Sequence, residues 1–364
     1  MAQTRSKLRP PLKKTRRNRR SRVSRTRVRR RVKSRQKTIG GRWPTRTRQG
    51  KSRSSAGSKT QKKIFARIKC SPKNSNQPNS AYTCYTDDSL NDLRILWNKK
   101  YPKSRIESTC PRVIHATLTE LLQSSCKTEA CWLKRKFVPK TGKMRETLNE
   151  SFRPEYPREW KSGAKNWLSN LDINRVMHQY EAAYRCFKFI GPTPIDFDKV
   201  LRTKKSGASR CVWSDMCNFK LSEQMASGKY KIGIIFNTDP HNKSGEHWIS
   251  MFINIINHTI FFYDSTGDPI PPEIQLFIDR IVAQGKQLPH PITFTVDNSE
   301  GIKTHQTGGT ECGVYSLFFI INTLINNLTA AEIKSQPLPD KYMRQFRKKL
   351  FNYDPNKRHQ KLLK

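Results

Sequence analysis

Four residues, in the order His247, Asp264, Gln306 and Cys312, have side chains suited to attack on a carbonyl carbon by a thiol. Cys312 lies in Thr310-Glu311-Cys312-Gly313-Val314-Tyr315, where a loop containing Gly308 and Gly309 gives way to an apolar run. That run predicts a helix from Cys312 to Leu328, so the thiol would sit at a helix N-terminus. Free N–H groups and partial positive charge there favour a thiolate. Taken alone, a cysteine at this place reads as a core residue. His247 supplies the complementary base. It opens an apolar strand, His247 to Ile256, and a tight turn at Asn257-His258 returns the chain along Thr259 to Asp264. Counting back from the turn places His247 and Asp264 at the same open end of the hairpin, facing one another. Directly opposed residues have Cβ atoms roughly 4.5–5.5 Å apart. A carboxylate there fixes the imidazole tautomer and stabilises the imidazolium. Alone, His247 is also readable as a surface-loop histidine, and Asp264 as the residue that starts a turn at Ser265-Thr266-Gly267. Gln306 precedes Cys312 by six residues. Its amide could direct an N–H at an oxyanion, with the Cys312 backbone N–H as second donor; alone it reads as a solvated loop glutamine.

The elements around these residues indicate an α+β domain. Leu171 to Phe187 has helical spacing through Ile173, Val176, Met177, Tyr180 and Tyr184. Residues 232–238 read as a strand, Pro271-Pro272 opens a helix reaching about Gly285, and Pro291 to Val296 reads as a further strand. The run after Cys312 has no polar stripe before Asn322, which predicts the buried central helix. An amphipathic helix, Asp340 to Phe351, follows. Helical patches at Leu90 to Trp97 and Ile114 to Leu122 mark a mostly helical accessory domain over residues 66–160. The catalytic domain is expected over 161–352, a disordered arm over 1–65 and a basic tail over 353–364.

Charge separates the arm from the body. The chain of 364 residues carries 71 Lys and Arg against 28 Asp and Glu, a net of +43. Residues 1–63 hold 26 of the basic side chains, and the first acidic residue is Asp87. With almost no apolar side chains to offset the entropy of ordering, the arm is not expected to fold alone. Its charge suits non-specific DNA contact through released counterions; a nuclear-import or solubilising segment is the other reading. It has no apolar core of the kind a signal peptide needs. No membrane span is expected, because the most apolar run, Val314 to Ile325, is shorter than the roughly 20 residues required. Nine cysteines without a secretory signal point to a reducing compartment and free thiols. Cys126/Cys131 and Cys211/Cys217 do not have zinc-knuckle spacing, and no metal or organic cofactor is expected.

The segments Gly245-Glu-His-Trp248, Tyr263-Asp-Ser-Thr-Gly267 and His305-Gln306 with Thr310-Glu-Cys-Gly313 carry a resemblance. The chain resembles the adenain/SUMO-protease (Ulp1-like) clan of cysteine proteases, in which His-Trp, Asp, Gln and Cys-Gly occur in this order. Within the clan it is most similar to the African swine fever virus type of polyprotein-processing protease found in large DNA viruses. The resemblance extends over about residues 150–352. One position departs from it: that type has Asn where this chain has Asp264, the commoner clan residue. The resemblance implies a central mixed sheet packed on the helix that carries the nucleophile. It also implies cleavage at Gly-Gly-Xaa sites. Trp248, and Trp167 opposite it, would wall a tunnel that accepts only glycine side chains. The function so implied is maturation of viral structural precursor proteins, in the virion and at assembly sites in the host cytoplasm. The alternatives are a deubiquitinase or SUMO-type isopeptidase with the same chemistry, and an inactive DNA-binding virion protein on the same fold. The intact set of four residues argues against the last.

Overall fold

The computed structural model describes residues 69–76, 78–156, 166–202, 209–297 and 304–352. The expected arm over 1–65 and the basic tail over 353–364 lie outside the described residues.

In the N-terminal part, helices α1 (Asp87–Lys100), α2 (Pro111–Leu122), α3 (Glu129–Trp132) and α4 (Lys143–Asn149) follow two short 3-10 turns. Thr86 caps α1 by accepting a hydrogen bond from Ser89 N, and Asp87 and Asp88 occupy its positive first turn. Pro111 starts α2, where its missing N–H costs nothing. Tyr85, Leu90, Leu93, Ile114, Leu118, Trp132 and Leu148 form the core of this part.

Beyond it come α5 (Asn170–Ala183), β1 (Phe187–Pro194), β2 (Val200–Arg202), β3 (Ser209–Cys211), α6 (Ser214–Cys217), α7 (Leu221–Ala226), β4 (Lys231–Asn237), β5 (Trp248–Asn254) and β6 (Thr259–Tyr263). Then follow α8 (Pro272–Lys286), β7 (Thr295–Asp297), α9 (Cys312–Leu324), α10 (Ala330–Ser335) and α11 (Asp340–Leu350). Five strands form one mixed sheet in the order β1-β4-β5-β6-β7. Pairing is parallel at β1/β4 and β6/β7, and antiparallel at β4/β5 and β5/β6. The sheet is covered on both faces, so β4 and β5 are apolar almost throughout. Ile249, Met251 and Ile253 of β5 pack with Ile274, Phe277 and Ile281 of α8. Trp248 and Phe252, on the opposite face by the two-residue period, pack with α5 and α9. Gly233 of β4 makes room for α9: a Cβ there would come within 2.8 Å of Ile320 Cγ2.

Several elements differ from the sequence reading. Strand β1, which holds Gly191, Pro192 and Pro194, is not predicted from the sequence. Gly191 and Pro192 fall in an irregularity of its parallel ladder with β4, between Ile190 and Thr193, and Pro194 is the last residue of the strand, opposite Asn237. Only Thr295–Asp297 pairs in the region expected as strand 291–296; Ile292 N bonds Gly285 O instead, and Ile292 and Phe294 are buried beside α8. Helix α9 stops at Leu324, four residues early. Asn326 and Asn327 follow it, Asn326 with φ 53, and Thr329 caps a separate helix α10 with a capping box.

The cysteines also differ. Six of the nine are paired, Cys70–Cys84, Cys126–Cys131 and Cys211–Cys217, with Cα separations of 5.0, 5.5 and 6.4 Å, all within disulfide reach. The expectation of free thiols holds only for Cys110, Cys186 and Cys312. Partners are close in sequence and the local turns bring them together.

The two ends of the described chain meet. The Asn352 side chain accepts from Lys69 N at 2.7 Å and donates to Lys69 O at 2.8 Å. Bridges Cys70↔Phe152 and Glu155↔Asn352 tie the same seam. No helix among the described residues is long and apolar enough to cross a membrane.

Candidate active site

Cys312 is the first residue of α9 and is 1 % exposed. The helix that follows is apolar on every side and is held between the sheet and α5, α10 and α11. The sulfur therefore sits at the positive end of a buried dipole. Gly313 is required by what lies on it: a Cβ there would stand 3.1 Å from both Leu168 Cβ and Trp248 Cδ1. The Trp248 indole N–H donates to Leu168 O at 3.0 Å, and Ser316 Oγ of α9 donates to Trp248 O at 3.1 Å. Trp248 is thus clamped against the helix that Cys312 opens.

His247 comes just before β5 and reaches two partners. Its Nε2 lies 2.8 Å from Asp264 Oδ1, and the imidazole is also hydrogen bonded to the Cys312 side chain. Burial by itself would lower the His247 pKa. The hydrogen bonds to Asp264 and Cys312, and the charges of both, overcome it and push the value up to about 10. The hairpin register differs from the one expected, in which His247 and Asp264 face one another. Ser250 pairs with Tyr263, so the ladder runs Asp264 opposite Ile249, and His247 lies diagonally two residues on. Residues offset in this way are about 7–8 Å apart at the backbone, which an imidazole and a carboxylate span together. Asp264 is 3 % exposed, and the same oxygen also accepts from Thr266 N at 2.9 Å and Thr266 Oγ1 at 2.8 Å. It has the short turn seen in the sequence, but the turn serves to aim the carboxylate.

Gln306 is buried, not solvated. Its Oε1 accepts from Ser265 Oγ at 2.8 Å and its Nε2 donates to Gly308 O. A primary amide has two N–H groups, so one remains for an oxyanion. Ser265 O accepts the backbone N–H groups of both His305 and Gln306, at 3.0 and 2.9 Å. Adjacent residues at the end of β6 therefore orient the base and the amide: Asp264 holds His247, and Ser265 holds Gln306. His305 turns inward, its Nδ1 3.3 Å from Tyr263 Oη, and burial lowers its pKa.

The loop between Gln306 and Cys312 is pinned by residues that the sequence reading missed. Asp340 Oδ2 accepts from Thr307 Oγ1 and Gly308 N, both at 2.8 Å, and Asp340 Oδ1 accepts from Tyr315 Oη at 3.0 Å. Burial, then the Asp340 charge and hydrogen bond, raise the Tyr315 pKa, so the phenol stays a donor. Arg347, 1 % exposed, donates to Thr310 O at 3.1 Å, and Arg344 pairs with buried Glu311 at 3.2 Å. An acidic residue opening an amphipathic helix whose last turn is basic was the only available signal, and it reads first as a helix cap. Trp167, 44 % exposed, donates its indole N–H to Gly309 O and lines, with Trp248, a cleft of about 1080 Å³. All six residues singled out in the sequence thus fall in one place. Among the described residues no three His, Cys, Asp or Glu side chains are grouped as a metal ion would need.

An imidazole bridging a carboxylate and a helix-start thiol, beside an amide with a free N–H, can deliver a thiolate to a carbonyl and hold the oxyanion that forms. Comparison with known proteins agrees with that chemistry. Residues 223–360, which contain all four polar residues, match the C-terminal catalytic domain of the Ulp1 protease family. A protein of Acanthamoeba polyphaga mimivirus named as a thiol protease is 28% identical over 298 residues, covering 73% of this chain and 90% of the relative. The SUMO-1 cysteine protease of African swine fever virus is 24% identical over 265 residues, covering 67% and 91%. The crystal structure of the African swine fever virus protease superimposes with a TM-score of 0.51 at 18% identity, over 80% of this chain and 99% of that one, a likeness of fold.

Proposed function

We propose, from the premise that the chain is a cysteine-type endopeptidase whose residues 223–360 match the C-terminal catalytic domain of the Ulp1 protease family, that it cleaves viral structural precursors after Gly-Gly during virion maturation. The observation that carries the reading is the His247 imidazole held between Asp264 and Cys312, with Trp248 packed on Gly313 beside the sulfur.

In this mechanism Cys312 Sγ, as the thiolate, attacks the carbonyl carbon of the second glycine, and the proton it gave up resides on His247. The carbonyl π electrons move to oxygen, and the oxyanion is met by the second Gln306 N–H and the Cys312 backbone N–H. His247 then protonates the leaving amine as the C–N bond breaks, which leaves a thioester. His247 next takes a proton from water, which attacks the thioester and releases the new carboxyl end and the thiolate. Asp264 keeps the imidazole oriented and balances its charge through both steps. Trp248 and Trp167 flank the approach, and a chain without Cβ atoms passes between aromatic walls that a side chain would strike.

Such an enzyme would act in the virion and at assembly sites in the host cytoplasm, where its precursors would be. The arm, residues 1–63, would hold the enzyme on packaged DNA. A SUMO-type isopeptidase activity is the second reading, favoured by the name its African swine fever virus relative carries. Both are tested by comparing Gly-Gly-Xaa peptides with folded ubiquitin-like proteins ending in Gly-Gly. Faster peptide cleavage, abolished by Cys312→Ala, supports the precursor reading. Cleavage restricted to folded substrates selects the isopeptidase, and cleavage by Cys312→Ala overturns the mechanism.

A further inference from the structure

The cleft beside the two tryptophans continues past them along the loop between β4 and β5. That part is polar and built. His241 is held from both sides by Asp196: its backbone N–H donates to Oδ1 at 2.8 Å and its ring Nδ1 lies 2.7 Å from Oδ2. These hydrogen bonds outweigh the burial of Asp196 and keep its carboxyl below the usual range. With Nδ1 engaged, Nε2 is the ring nitrogen left to the cleft. Arg210, on β3, and Lys243 line the same space. The carboxylate among the lining residues, Asp239, is already used: it accepts from Gly245 N at 3.2 Å and lies 3.7 Å from Lys243. The wall thus offers cationic or hydrogen-donating groups and little free negative charge.

We propose that this wall is a specificity site, in which His241, braced by Asp196, and Arg210 select precursor chains carrying an acidic side chain upstream of the glycine pair. A peptide threaded past Trp167 and Trp248 must lie in the cleft, since both tryptophans line it. An extended chain advances about 3.3 Å per residue, so side chains a few residues before the glycines lie along the cleft. A carboxylate there accepts charge-assisted hydrogen bonds from an imidazole and a guanidinium. A lysine meets like charge and loses its water without a partner.

The inference rests on the glycine reading above, and one peptide set separates their fates. Matched Gly-Gly-Xaa peptides carry Glu, Gln or Lys at each of the three positions before the glycines, and kcat/KM is measured at low and moderate salt. The full-length enzyme is expected to prefer Glu over Lys by about 3- to 10-fold at one position, the range for partly exposed charge contacts. The preference shrinks as salt screens it. In His241→Gln and Arg210→Gln the Glu-to-Lys ratio falls toward one, and Arg210→Glu reverses it. A ratio near one at all three positions in the wild-type enzyme, or a ratio that survives all three substitutions, overturns the specificity site and leaves the glycine reading standing. Failure to cleave any of the peptides overturns both.

Discussion

At the scale of single residues, the site separates groups that carry charge in the reaction from groups that aim them. Gln306→Ala removes an oxyanion donor and should lower kcat by roughly 10²–10³ while moving KM little, because the oxyanion exists only beyond the ground state. Steady-state kinetics decide this, and a loss confined to KM would make Gln306 a substrate contact. His247→Ala should be more damaging than Asp264→Asn, since an asparagine oxygen still meets His247 and Thr266. The His247 pKa, raised to about 10 from an unfolded value near 6.5, has a consequence for stability. A raised pKa means that the folded protein holds the proton more tightly. The stabilisation is therefore fully present below pH 6.5 and is lost as pH rises through about 10. Urea unfolding at pH 6, 8 and 10 should show wild type losing stability relative to His247→Gln across that window. A difference that stays constant would mean that the imidazole is not held as an imidazolium.

Among the elements, the most consequential arrangement is α11 against the loop before α9. Asp340→Ala leaves Gly308 N, Thr307 Oγ1 and Tyr315 Oη without their shared acceptor. Hydrogen bonds to a charged group are worth about 1.5–3 kcal/mol each, not additively. Destabilisation of about 2–4 kcal/mol is expected by thermal unfolding, with kcat reduced through a loosened Gln306. Unchanged stability and kcat would show that the loop holds itself. What the sequence discloses follows from range. His247, Asp264, Gln306 and Cys312 were legible because local rules, a hairpin, a glycine loop and a helix start, each place one of them. Trp167 needed the family likeness, since no local rule carries it to Gly309, 142 residues away. Asp340 and Ser265 were opaque for the same reason: their importance lies in what they touch. Strand β1 was hidden by its two prolines, one in the irregularity of the parallel ladder and one at the end of the strand. The disulfides were missed because a compartment argument was set above the short spacing of the six cysteines.

The whole molecule pairs a catalytic body with a segment of extreme charge. Removing residues 1–63 should leave cleavage of a short peptide nearly unchanged and abolish most DNA binding. The log–log salt slope should be about −0.9 per phosphate contacted for the full chain. Equal, salt-insensitive binding by both forms would dismiss the tether. The seam at Asn352 bears on how the body itself is strung. Lys69 and Asn352 are joined by paired hydrogen bonds, so the chain from 69 to 352 is a nearly closed ring. Such a ring can be cut elsewhere. A circular permutant that links 352 to 69 through a few glycines and opens at the exposed turn around Gly142 should fold and cleave peptide, because among the described residues the hydrogen bonds that build the active site all lie between Trp167 and Arg347. It would also deprive the two basic ends of their common point of attachment, and so separate catalysis from the siting of charge by connectivity alone.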